Sequence, residues 1–226
     1  MRLEVLNQQI ISCRKCARLV NWREAVAIKK RKAYRDQEYW GRPVPGFGDK
    51  RARILVVGLA PGAHGSNRTG RQFTGDASGR FLFPALFRAG FASRPDSTDR
   101  NDGLMLRDLY LTASCRCAPP ENKPTPEELD NCQDYLEHEV SLIKPKVVVC
   151  LGRIAFERMR RVFLLGRQGM KFAHAAAFRI DPGSAPDVRW ILCSYHPSQQ
   201  NTATGKLTRA MFDRIWEIAG TLANGA

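Results

Sequence analysis

The chain has 226 residues, 43% hydrophobic and 26% charged, a composition typical of a folded soluble protein of one large domain or two small ones, not of a disordered chain. Its longest apolar runs, 54–60 and 147–151, fall far short of the ~18 residues a membrane-spanning helix needs, and the N-terminus lacks the apolar stretch of a secretory signal. A cytoplasmic protein without a membrane partner is therefore expected, and its formal charge of +14, from 36 Lys and Arg against 22 Asp and Glu, concentrates polyanions near its surface.

The charge is uneven. Residues 1–53 hold 14 basic and 5 acidic side chains, densest at Lys29-Lys30-Arg31-Lys32, whereas Glu121 to Glu139 carries seven acids and Lys123 as its single base. Charge alone divides evenly between a solvated face and a nucleic-acid footprint.

In chain order, Cys13-Arg-Lys-Cys16 comes first, a C-x2-C pair whose thiolates can reach one metal from a single turn. Seven cysteines are an odd number, and a reducing compartment opposes a disulfide framework, so metal binding is the better reading. Residues 22–50 show no steady period and read as an arm or irregular insertion. Arg53 to Leu59 is the first buried strand. A glycine-rich polar loop follows, from Gly58-Leu-Ala-Pro-Gly-Ala-His-Gly65 through Phe73-Thr-Gly-Asp76, before a helix near Phe81. No G-x-G-x-x-G opens that helix, so a nucleotide cofactor is not expected. Asp76 is also a natural N-cap for it, and Arg94 to Gly103 reads as an exposed loop.

Leu109 to Ala113 is the second strand, ending in Ser-Cys115-Arg-Cys117-Ala-Pro-Pro. Thr125-Pro126-Glu127-Glu128 is a strong helix start, with Thr125 as N-cap, proline at the first helical position and Glu128 closing a capping box. Leu129, Cys132, Leu136, Val140 and Ile143 then share one face, turning Cys132 inward. Lys146 to Leu151 and Arg189 to Tyr195 are further strands, and 154–163 and 210–222 are helices. Cys150 and Cys193 lie inside apolar strands and read as core. Cys13, Cys16, Cys132 and either Cys115 or Cys117 suit tetrahedral zinc or an iron–sulfur cluster, and spacing does not choose between them. Strands alternating with helices imply an α/β parallel sheet, taken as one domain over 1–226 whose basic segment, about 1–52, returns through the cysteines. The polar segments follow the strands, so they converge on the carboxyl edge where open parallel sheets bind ligands.

The glycine-rich segment from Gly58 to Gly79, together with His196-Pro-Ser-Gln-Gln-Asn201-Thr-Ala-Thr-Gly-Lys-Leu-Thr208, resembles the uracil-DNA glycosylase superfamily. The match is strongest to its family 5, the iron–sulfur branch, and runs from Cys13 to about Met211. The resemblance implies a four-stranded parallel sheet flanked by helices, a [4Fe–4S] cluster, and hydrolytic removal of uracil from DNA. By the family's pattern the third cluster cysteine precedes Pro119-Pro120-Glu-Asn122-Lys-Pro124, which selects Cys117 and gives Cys13, Cys16, Cys117 and Cys132. On that resemblance Phe73 is the candidate ring to stack on the flipped base and His196 the donor to the departing base, while Asp76, the nearest carboxylate in the motif, with Asn122 as a second polar candidate, is expected to handle water. Gly58, Ala60, Gly62, His64 and Ala113 line the base pocket.

Two departures matter. Better-known branches place an acid in the first glycine turn, where this chain has Leu59 and Ala63. Branches strict for uracil carry an asparagine where this chain has Ala113, and losing a specific hydrogen-bonding pair relaxes discrimination. Hypoxanthine and modified pyrimidines therefore join uracil as expected substrates. Arg68, Arg71 and Lys206, along with Arg209, suit phosphates; Gln200, Asn201 and a Leu207 wedge are expected in the minor groove. A monomer is expected. The rival reading is a non-catalytic nucleic-acid binder with a zinc site, which has no reason to combine Phe73, Asp76 and His196.

Overall fold

A computed structural model describes residues 1–165, 169–181, 183 and 187–225. Its centre is four five-residue strands: β2 (Ile54–Gly58), β3 (Leu109–Ala113), β4 (Val147–Leu151) and β6 (Trp190–Ser194). They are rich in branched aliphatic side chains and, apart from the half-buried Trp190, buried throughout, the pattern of strands covered on both faces. All pair in parallel, in the order β3-β2-β4-β6.

The sheet has six strands rather than the expected four. β1 (Phe47–Gly48) and β5 (Ala177–Arg179) add antiparallel edges beside β3 and β6. At two and three residues, and only partly buried or exposed, they carry no apolar run that a sequence pattern can register. Short edges of this kind also limit unwanted pairing.

Alternating side chains send the strands into two cores. Ile54, Val56, Leu109, Leu111, Val147 and Val149 pack on one face with helices α4 (Ala77–Arg88) and α8 (Arg209–Asn224). Leu55, Val57, Val148, Cys150, Ile191 and Cys193 pack on the other, where α1 (Leu3–Ile11), α5 (Pro126–Ile143) and α6 (Arg153–Val162) lie. Cys150 and Cys193 are core residues, as expected. The capping box forms as predicted at α5: Thr125 accepts from the Glu128 amide, and Glu128 accepts from the Thr125 amide.

Two boundaries differ from expectation. The supposed irregular arm begins as helix: α2 runs from Ala17 to Lys29, starting at Cys16, and buries Leu19, Val20, Arg23 and Val26. The arginine in that buried face breaks the apolar period. Helix α4 starts at Ala77, four residues before Phe81, because Asp76 caps it through a bond from the Gly79 amide. Short helices α3 (Ser66–Thr69) and α7 (Gln199–Ala203), and 3-10 turns at Lys32–Tyr34 and Pro120–Asn122, complete the loops at the carboxyl edge. No helix among the described residues is long and apolar enough to cross a membrane.

Candidate active site and cysteine centre

β2 has a parallel neighbour on each side, so its following loop leaves the sheet at a switch in strand order, where open α/β sheets form a crevice. A cleft of about 580 Å³ opens there, and its walls include Gly58, Ala60, Gly62, His64, Phe73, Asp76, Ala113, Asn122 and His196. Every catalytic and base-binding candidate is thus brought together, although the chain separates the first from the last by more than half its length.

Close backbone approach explains the glycines. A Cβ on Gly58 would lie 2.6 Å from Phe73 Cζ, so that ring would have to shift, and one on Gly62 would lie 3.0 Å from Asp76 Oδ2, which would have to give by a few tenths of an ångström. Phe73 is held at φ 54° and Asn122 at φ 57°, left-handed conformations that are uncommon for residues with a Cβ and that gather at functional sites. The Phe73 ring is 7% exposed and stacks near His196, with centroids 6.1 Å apart and planes inclined by 30°.

Electrostatics divide the polar groups. Burial pushes the His196 imidazole down to about 4, so it is neutral at physiological pH. Its carbonyl accepts from Asn201 Nδ2 at 2.9 Å, which pins the loop after β6. Burial raises the Asp76 carboxyl, opposed chiefly by the Gly79 amide, which donates to Oδ1 at 2.9 Å. Oδ2 faces the glycine turn. His64 Nδ1 lies 3.0 Å from the Tyr39 hydroxyl, and burial, then the Arg31 and Arg68 charges, lower its pKa. Asn122 is exposed at the rim.

The DNA-contact candidates divide. Gln200 and Lys206 are exposed, and Lys206 Nζ sits 5.1 Å from the centre of the Tyr195 ring. Four others are corrected by the structure. Arg68 is 9% exposed, bonded to the His64 and Gly75 carbonyls and to Gln37, and lies over the Tyr34 ring. Arg71 is 4% exposed and paired with Asp102 at 2.5 Å. Asn201 is occupied with His196, and Leu207 is 1% exposed in the core with Phe212 and Trp216. Arg68, Arg71 and Leu207 shape the loops from inside and do not reach a phosphate or a groove, while the half-buried Asn201 is tied to the loop after β6 through Nδ2. The sequence reading missed Arg31, Tyr34, Arg80 and Ser198 in the cleft wall and expected Gln199, which also lines it, in the minor groove; the basic run at 29–32 was the available signal for Arg31.

A second, small cavity is lined by Cys13, Cys16, Cys117 and Cys132 together with Arg23, Arg116, Asn131 and Tyr135. Cys115 is buried beside them and donates towards the Cys117 carbonyl. Among the described residues, no three His, Cys, Asp or Glu side chains are drawn together as the ligands of one metal. The donor chemistry nevertheless fits a thiolate-bound group. Arg23 Nη1 donates to Cys117 Sγ at 2.8 Å and Asn131 Nδ2 to Cys16 Sγ at 3.4 Å. The neighbouring Cys115 thiol and the Arg116 amide lower the Cys132 thiol, while burial pushes Cys117 up to about 12.

Residues 45–220 match the profile of the uracil DNA glycosylase superfamily. The chain is 53% identical over 224 residues to the type-5 uracil-DNA glycosylase of Thermus thermophilus, covering 99% of each chain. It is 50% identical over 223 residues to the Mycobacterium leprae type-5 enzyme, covering 96% of this chain and 94% of that one. Similarity extends at 30% identity over 202 residues to the type-4 uracil-DNA glycosylase of Archaeoglobus fulgidus, across 87% of this chain and 81% of the other. The chain belongs to the uracil-DNA glycosylase superfamily, among its type-5 members.

Proposed function

We propose that this protein is a monofunctional DNA glycosylase of base excision repair that hydrolyses the N-glycosidic bond of uracil and of other deaminated bases. The observation that carries the reading is the convergence of Phe73, Asp76, Asn122 and His196 on one cleft at the carboxyl edge of the sheet. A base inside a duplex is out of reach of such a cleft, so the nucleotide is rotated out and its lost stacking is offset by new contacts. Phe73 offers the ring for that contact. Bond cleavage leaves cationic character on the sugar and negative charge on the departing base. His196, neutral because it is buried, donates a ring N–H to the base oxygen as that charge grows. Asp76, whose carboxyl accepts from the Gly79 amide at the N-terminus of α4, orients water and faces the sugar cation. Asn122 supplies a second polar contact at the rim. Ala113, 1% exposed in the cleft wall, offers no edge-reading amide, which supports a wider base range that includes hypoxanthine and modified pyrimidines.

Cys13, Cys16, Cys117 and Cys132 would hold a [4Fe–4S] cluster. Such a group supplies a cross-link between the N-terminal segment and α5. The reading includes a monomer acting on DNA in the cytoplasm without a nucleotide cofactor. Lys206 and Gln200 are the contacts that the exposed loop retains for DNA.

The test is single-turnover base release from duplexes carrying one uracil, one hypoxanthine or only normal bases, scored by cleavage in hot alkali. Alkali-dependent cleavage at the damaged position is expected. Binding of the DNA without base release, by protein whose cysteine centre is loaded, would favour the non-catalytic binder.

A further inference from the structure

Four thiolates in a buried site need cations or donors around them, because charge taken out of water is costly unless it is paired. Two buried guanidiniums reach the cavity lined by Cys13, Cys16, Cys117 and Cys132. Arg116 is 1% exposed, but its charge is matched by Glu139, 0% exposed and 2.5 Å away, and it also donates to Thr112. Arg23 differs. It is 2% exposed, and Nη1 donates to Cys117 Sγ at 2.8 Å. Both terminal nitrogens also approach the Cys13 carbonyl, at 3.3 and 3.4 Å. Its nearest carboxylate, Glu24, lies 3.7 Å away, is 40% exposed, and takes two bonds from Arg14. The charge of Arg23 is therefore directed at the cysteines.

The same residue looks the other way through its backbone. The Arg23 carbonyl accepts from Asn67 Nδ2 at 3.2 Å, and Asn67 is fully buried on α3, with its own amide bonded to the Gly62 carbonyl in the cleft wall. One residue of α2 thus joins the cysteine centre to the glycine turn that faces Asp76.

We propose that Arg23 is the positioning residue of the cysteine centre, serving as hydrogen-bond donor to the Cys117 ligand and as counter-charge for the four sulfurs. The inference rests on the reading of those cysteines as a ligand set. Donors to ligand sulfurs hold a bound group in place and raise the potential of an iron–sulfur cluster. Losing the Arg23 fork should do the reverse.

The experiment compares wild type, Arg23→Met, Arg23→Lys and, as a surface control, Arg214→Met, at an exposed arginine of α8 paired with Glu217. Iron and acid-labile sulfide per chain, the reduction potential, and the rate of loss of the visible absorbance in the presence of a chelator are measured. Arg23→Met should lose its group at least about tenfold faster than wild type, with a lower potential. Arg23→Lys should fall between the two, and Arg214→Met should match wild type. Equal loss rates and potentials in wild type and Arg23→Met would overturn the inference. If Arg23→Met does not fold, Arg23→Lys decides: a faster loss supports the inference and an unchanged rate and potential overturns it. Wild-type protein containing zinc instead of iron and sulfide would overturn the cluster reading alone, and zinc release to a chromophoric chelator from the same variants would then test Arg23.

Discussion

Asp76 holds two positions at once, and two substitutions separate them. Oδ1 accepts the Gly79 amide at the start of α4, while Oδ2 faces the glycine turn of the cleft. Asparagine is as good an N-cap as aspartate, so Asp76→Asn keeps the helix start and removes only the charge. Alanine removes both. Loss of a cap costs about 1 kcal/mol, which in a chain of this size lowers Tm by about 2–4 °C. Loss of a carboxylate that orients water costs about 10²–10⁴ in rate. The expected pattern is a Tm near wild type for Asp76→Asn, a lower one for Asp76→Ala, and a single-turnover rate reduced at least about a hundredfold in both. Calorimetry and uracil release under single-turnover conditions read the two quantities independently. If Asp76→Asn retains a rate within about threefold of wild type, a loss below about 0.7 kcal/mol, the carboxylate is a helix cap and nothing more.

For His196→Ala, the loss of a donor to the leaving base should lower the single-turnover rate at least about a hundredfold, on the order of 3 kcal/mol, and a smaller change would move that role to another group. The His196 ring resonances should titrate near 4 by NMR rather than near 6.5; because the unfolded chain takes up that proton at higher pH than the folded one, this residue should lower stability progressively as pH falls from 6.5 to about 4. Arg71→Ala should destabilise by about 3–5 kcal/mol in urea unfolding, because it strands Asp102 in a buried pair, whereas Lys206→Ala should leave stability unchanged and reduce the salt slope of DNA binding by about 1. Ala113→Asn should narrow the base range, raising the uracil-to-hypoxanthine rate ratio at least about tenfold; an unchanged ratio would show that the position does not read the base.

The parts of this fold that announce themselves are those where one physical signal dominates. Val147 to Leu151 and its parallel neighbours are short, branched and buried on both faces, and nothing else in the sequence resembles them. The start of α5 is legible because proline, threonine and glutamate each have one good place in a helix N-terminus. β1 and β5 are invisible because edge pairing is supplied by the neighbouring strand rather than by their own side chains. α2 is obscured by Arg23, a charged residue facing inward. The cleft is legible where its chemistry requires specific residue types in two loops, Phe73 and Asp76 after β2 and His196 after β6. Its surroundings are not, since an arginine in a polar loop reads the same whether it meets solvent or, like Arg68 and Arg71, internal carbonyls and a carboxylate. Leu207 fails similarly: an apolar residue near the tip of a loop fits a wedge and a core equally well until the return of α8 covers it.

The arrangement of the cysteines also sets an order of events during synthesis. Cys13 and Cys16 leave the ribosome first, and Cys132 follows roughly 120 residues later, a wait of roughly 6–24 s at bacterial and eukaryotic elongation rates of about 5–20 residues per second. On the proposed ligand set, the first pair is through that interval half a chelate, with its sulfurs open to oxidants and stray metals. The bonds that Arg23 of α2 makes to Cys117 and Asn67 wait likewise on residues made later. A segment made early thus waits for residues made more than a hundred positions later, and filling of the proposed centre reports that all four cysteines have been made.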